Sequence, residues 1–156
     1  MINQQDRIRL LDEALARAIP ASSGWTREAF PATRYSDGET TYCVEVRSPQ
    51  RPDFQKLSIV LRHDGDIQVE YHIADRRGSP FEMLIVLPEG EEVAAIEVAS
   101  HFVADLVAER LVLVITKGFF RGGNYFLNPT SLTESDRRNS AWIASWLGTF
   151  DWPTPH

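Results

Sequence analysis

Asp64-Gly65 stands between two stretches of strict apolar alternation, and that arrangement fixes one piece of the fold at once. Leu57, Ile59 and Leu61 precede the pair; Ile67, Val69, Tyr71 and Ile73 follow it. A period of two puts each apolar set on one face of a strand. Asp-Gly favours the tight turn whose central residues both take positive φ, so His63-Asp64-Gly65-Asp66 predicts a β-hairpin. Upstream, Tyr42, Val44 and Val46 alternate with Thr41, Cys43, Glu45 and Arg47 and predict another half-buried strand. Ser48 to Asp53, with two prolines, reads as a loop.

Residues 3–19 carry a helical period instead, with Ile8, Leu11, Leu15, Ala18 and Ile19 on one stripe. Asn3 is the expected N-cap, and Pro20 ends the helix because its ring removes a donor. Residues 20–38 read as mostly loop, with one turn of helix around Thr26–Phe30. From Phe81 to Leu87 alternation fails, since Phe81, Met83, Ile85 and Leu87 are apolar and so are Leu84 and Val86, the pattern of a central strand covered on both sides. A second helix is expected over Gly90–Glu109, burying Val93, Ile96, Ala99, Phe102, Val103, Leu106 and Val107. Leu111 to Ile115 predicts a fifth, buried strand, and Lys117 to Asn128 a hairpin around Gly122-Gly123. Ser131-Leu132-Thr133-Glu134 fits a capping box for a last helix starting near Ser131 or Thr133. Its apolar stripe would be Trp142, Ile143, Trp146 and Leu147, with Gly148 at C′ and Phe150 and Trp152 folding back onto the core. The expected fold is a single α+β domain spanning 1–156. It has a mostly antiparallel sheet of about five to seven strands and three helices packed largely on one side.

Length and composition fit one ordinary globular domain: 156 residues, 43% apolar, 24% charged. Cys43, the single cysteine, excludes an internal disulfide and a zinc-finger ligand set. Met1 to Asp6 has neither the basic nor the apolar region of a signal peptide, and no run of 18 apolar residues occurs. A reducing compartment, the cytoplasm, is expected.

The net charge of −6 is uneven. Seven acids and no Lys or Arg lie between Glu82 and Glu109. Such a field disfavours nucleic acid and anionic membranes and speeds association with a basic partner. On the second helix, Glu91, Glu97, His101, Asp105 and Glu109 fall on the polar side, interleaved with alanines, as a low negative strip for docking. Glu97, His101 and Asp105 at i, i+4 and i+8 do not converge on a metal without another element, so no metal site is expected. A second contact patch is expected from Phe119, Phe120, Arg121 and Tyr125 around the Gly-Gly turn, since aromatics and Arg are common interface anchors. That segment has no Gly-Lys-Ser/Thr opening a helix, hence no P-loop, and no cofactor motif occurs elsewhere. Asp64 and Asp66 lack the following acids of a calcium loop, and Trp142, Trp146 and Trp152 read as core rather than a ligand box. Cys43, Glu45, Glu70 and His72 share the polar side of their strands, a geometry in which a Cys–His–carboxylate group is conceivable. A mid-strand cysteine lacks the helix dipole or nearby cation that lowers a thiol pKa, and is more often inert.

In element order the chain is similar to type III secretion chaperones, which are also small and acidic. That resemblance implies a dimer holding an extended segment of a secreted partner. The profile also resembles bacterial immunity proteins: small, acidic and without catalytic motifs. The leading expectation is therefore a non-enzymatic, protein-binding immunity protein that neutralises a basic toxin or effector, with the secretion-type chaperone second. A small-molecule-binding domain or minor enzyme using the open sheet face near Cys43 and His72 is the rival from another class. A homodimeric structural subunit is a third reading.

Overall fold

The chain begins with a helix, α1 (Gln4–Ala18), opened by the Asn3 side chain, which accepts the Asp6 N–H at 2.9 Å. This computed structural model describes residues 3–19, 26–31, 40–50, 55–62, 66–74, 80–86, 92–117 and 124–153. The chain divides into two compact units, Met1–Ala104 and Asp105–His156.

In the first unit five strands form an antiparallel meander in sequence order: β1 (Thr26–Pro31), β2 (Thr40–Arg47), β3 (Gln55–Arg62), β4 (Ile67–Ala74) and β5 (Pro80–Val86). The expected β3–β4 hairpin is present, with Leu61 opposite Ile67 and the Arg62 N–H on Asp66 O at 2.9 Å; its turn residues 63–65 lie outside the described residues. Register makes one face of the sheet continuous: Val44, Ile59 and Val69 form one row, and Val46, Leu57 and Tyr71 the next. All six are at most 1% exposed. α1 lies on this face. Its Leu11, Ala14, Leu15 and Ile19 are buried, Arg7 donates to Arg62 O at 3.0 Å, and the Tyr42 hydroxyl reaches Asp12 at 3.4 Å. Burial of this face stabilises the unit at roughly 25 cal/mol per Å² of apolar area.

Two expectations for this unit are corrected. Thr26–Pro31 is an edge strand rather than a turn of helix, because β2 supplies a full antiparallel partner from Thr26↔Arg47 to Pro31↔Tyr42. β5 is not central: it stands at the other end of the strand order, pairing with β4 alone among the described residues.

α2 runs from Glu92 to Val107, close to its expected span. Ile96, Ala99, Val103, Leu106 and Val107 are buried as the helical period demands, but Val93 is 45% exposed because it sits at the first turn. Ser100 is buried instead, its hydroxyl donating to Ile96 O at 2.8 Å.

The second unit holds β6 (Val112–Thr116), β7 (Asn124–Leu127), a 3-10 turn at Pro129–Ser131, α3 (Glu134–Asn139) and β8 (Ser140–Ala144). These strands form an antiparallel sheet in the order β7-β6-β8. The architecture is thus α+β with three helices among the described residues. The expected single sheet becomes two, with five and three strands. The expected β6–β7 hairpin forms, with Val112↔Leu127 through Ile115↔Asn124 paired.

The last helix is much shorter than expected. Thr133, not Ser131, is its N-cap, and the Thr133–Asp136 capping box replaces the expected one. The chain leaves the helix after Asn139, and Trp142 and Ile143 pair with Ile115 and Val114. Trp and Ile suit a strand as well as a helix, and β6, buried at Val112, Leu113 and Val114, needs a neighbour on each side. Gly148 does take positive φ, 82°, but in a turn after β8 rather than at a helix end. Phe150 packs on Val112, Val114 and Ile143 with Leu127 and Leu132. Trp152 folds back to bridge Ile143 yet stays 38% exposed. No helix of the described residues is long and apolar enough to cross a membrane.

Candidate functional surfaces

The polar face of the first sheet is a lattice of opposite charges. Register aligns Glu45, Ser58 and Glu70 in one row and Arg47, Lys56 and His72 in the next. Carboxylates and cations therefore meet along and across strands, where side chains lie within reach. Glu45 is contacted by Arg47 Nη2 at 2.6 Å and Lys56 Nζ at 2.8 Å; Glu70 Oε2 lies 3.2 Å from His72 Nε2. The centre of this face is not open to water: Cys43, Glu45, Ser58 and Val60 are all buried, while Arg47, Lys56, Gln68, Glu70 and His72 keep partial exposure. Two long cations lying along Glu45 satisfy the charge that burial would otherwise penalise.

Cys43 and His72 are not brought together. Cys43 stands in the row of Val60 and Gln68, two rows from His72 and two strands away. Strand spacing and rise put them roughly 16 Å apart. A thiol–imidazole pair needs about 3 Å, so the Cys–His–carboxylate group does not form.

The second surface is the polar side of α2. Ala94, Val98 and His101 are exposed, Val98 at 52%; Glu97 and Asp105 are partly so. The two carboxylates are not bare. Glu97 Oε1 meets Arg17 Nη2 of α1 at 2.5 Å, and Asp105 Oδ1 meets Arg110 Nε at 2.7 Å. His101 Nδ1 lies 2.8 Å from Glu97 O. A carbonyl only accepts, so that nitrogen donates the bond.

Ala104 and Glu109 do not belong to this strip, for both are buried. α2 ends at Val107, and Glu109 takes a left-handed φ of 54° with its N–H on Leu106 O at 3.0 Å. This turns the side chain inward. Its Oε1 accepts the Leu147 N–H at 2.7 Å and the Thr149 N–H at 3.3 Å. Glu109 is thus a structural clamp on the 147–149 turn, missed because a continuous helical period placed it on the solvent side. The clue was the missing glycine or asparagine where a helix this long should stop.

Of the second expected patch, Phe119, Phe120 and Arg121 lie outside the described residues, as does Glu91. Tyr125, on β7, is 37% exposed, and its hydroxyl donates to Asp136 Oδ1 at 3.1 Å. Asp136 Oδ2 accepts the Thr133 hydroxyl at 2.6 Å and the Thr133 N–H at 2.7 Å. The Thr133 hydroxyl bond, then the backbone one, holds the Asp136 carboxyl below its usual range; Tyr125 adds to this. Partial burial, reinforced by the bond to Asp136, pushes the Tyr125 phenol above its ordinary value.

Among the described residues no group of three or more His, Cys, Asp or Glu could hold a metal ion. No protein-family model matches the chain, and neither the curated proteins nor the solved structures give a match.

Proposed function

We propose that this chain is a non-enzymatic binding protein of the immunity type, which neutralises a basic protein partner such as a toxin or effector. One observation carries the reading: where the charge lies. Residues 1–104 hold 11 basic and 17 acidic side chains, a balance of −6, while residues 105–156 hold five of each. The whole net charge sits in the first unit, with five acids and no Lys or Arg between Glu82 and Glu97. α2 exposes Val93, Ala94, Val98 and His101, contacts that add short-range affinity to long-range steering. Glu97, His101 and Asp105 remain contact residues of this reading, and Tyr125 a further one, while the expected contacts Glu91, Phe119, Phe120 and Arg121 lie outside the described residues. Glu109 leaves the set, since its carboxylate is spent on Leu147 and Thr149.

A chaperone that escorts a secreted protein is the second reading, favoured by the order of one helix, a run of strands, a helix and further strands, although β8 rather than a helix comes last. The two differ in the state of the partner, folded for immunity and extended for escort.

The test begins with affinity capture at low and high salt, followed by titration of the captured basic protein. The double variant Glu91→Lys, Glu97→Lys should weaken binding at least about tenfold and flatten its salt dependence. Unchanged affinity in a folded double variant would refute the acidic surface. A cysteine or histidine variant, Cys43→Ala or His72→Ala, should leave binding intact.

A further inference from the structure

We draw no further inference here: the strongest candidate, the outward face of α2 where Val98 is 52% exposed between Ala94 and His101, is part of the surface already given to the basic partner, and nothing in the structure shows what else covers it.

Discussion

Replacing Glu109 is expected to unfasten the turn after β8 at a cost that can be worked out in advance. Its Oε1 receives two backbone N–H groups, from Leu147 at 2.7 Å and Thr149 at 3.3 Å. Hydrogen bonds to a charged acceptor contribute about 1.5–3 kcal/mol each; the long one and the partial exposure of the turn argue for the lower end. Glu109→Ala should therefore cost about 3 kcal/mol. The left-handed φ of 54° adds a second, separable effect. A side chain there costs about 1 kcal/mol relative to glycine, so Glu109→Gly should lose about 2 kcal/mol, less than alanine despite removing more atoms. Glu109→Gln keeps an acceptor oxygen without the charge and should lose about 1 kcal/mol. Urea unfolding followed by tryptophan fluorescence suits the measurement, since Trp142, Trp146 and Trp152 all lie in the second unit and Trp146 is 1% exposed. For a chain of this size the alanine variant should melt about 6–12 °C lower. A glycine variant less stable than the alanine variant would refute the conformational part of the reasoning. An alanine variant within about 0.5 kcal/mol of wild type would refute the clamp itself.

Three further outcomes follow from the same geometry. Asp136 titrates below the ordinary carboxylate value of 3.8 in the folded chain, so its contribution is present above that value and is lost as pH falls through the folded pKa; Asp136→Asn should abolish this acid-side loss in a pH series of unfolding midpoints. Tyr125 titrates above 10.0, so its contribution is present below that pH and is lost as pH rises through the folded value. Ultraviolet titration should show a late phenol component that is absent in Tyr125→Phe and earlier in Asp136→Asn. At Glu45, Lys56→Met should destabilise the Glu45 parent more than a Glu45→Leu background, with a coupling of about 1 kcal/mol in a double-mutant cycle; additivity would show that the 2.8 Å contact contributes nothing.

Where local signals agreed with the tertiary partner, the fold was legible. Asn3 and Pro20 bounded α1 because capping and a missing donor act whatever lies nearby. Alternation around Asp64-Gly65 located β3 and β4 because turn chemistry and periodicity pointed the same way. The failures are places where a neighbour decided. Ser140–Ala144 satisfies a helical stripe and a strand alike, and β6, buried on both faces, recruited it as a strand. Thr26–Pro31 has no alternation of its own and became a strand through its register with β2. Phe81–Val86 was legible as a strand covered on both faces, yet its place at the edge of the meander depends on chain connectivity, which composition does not encode. On the candidate surface, Glu97 and His101 were placed correctly by helical period. The partners of the acids were not: Arg17 and Lys56 are far from Glu97 and Glu45 in sequence.

Charge and contact therefore have to be separated in a chain like this one. The second unit spends its acids on itself. Asp105 holds Arg110, Glu109 receives two backbone N–H groups, and Asp136 caps α3. Asp151, buried, accepts the Ser145 N–H at 2.9 Å. Reversing any of these to lysine would remove a bond that the fold uses, so lost binding in such variants would report unfolding first. In the first unit Glu97 is bonded to Arg17 as well, but the acids from Glu82 to Glu97 belong to the unit that carries the whole excess of −6 and so sets the long-range field. A field of that kind acts on association rates, is screened by salt and tolerates rearrangement of individual charges. Moving Glu91 to a neighbouring exposed position should then leave the rate of partner capture almost unchanged. Neutralising it should slow capture by a modest factor that vanishes at high salt. If instead a single carboxylate were indispensable at every ionic strength, recognition would rest on a buried pair at the interface, and the field would be incidental.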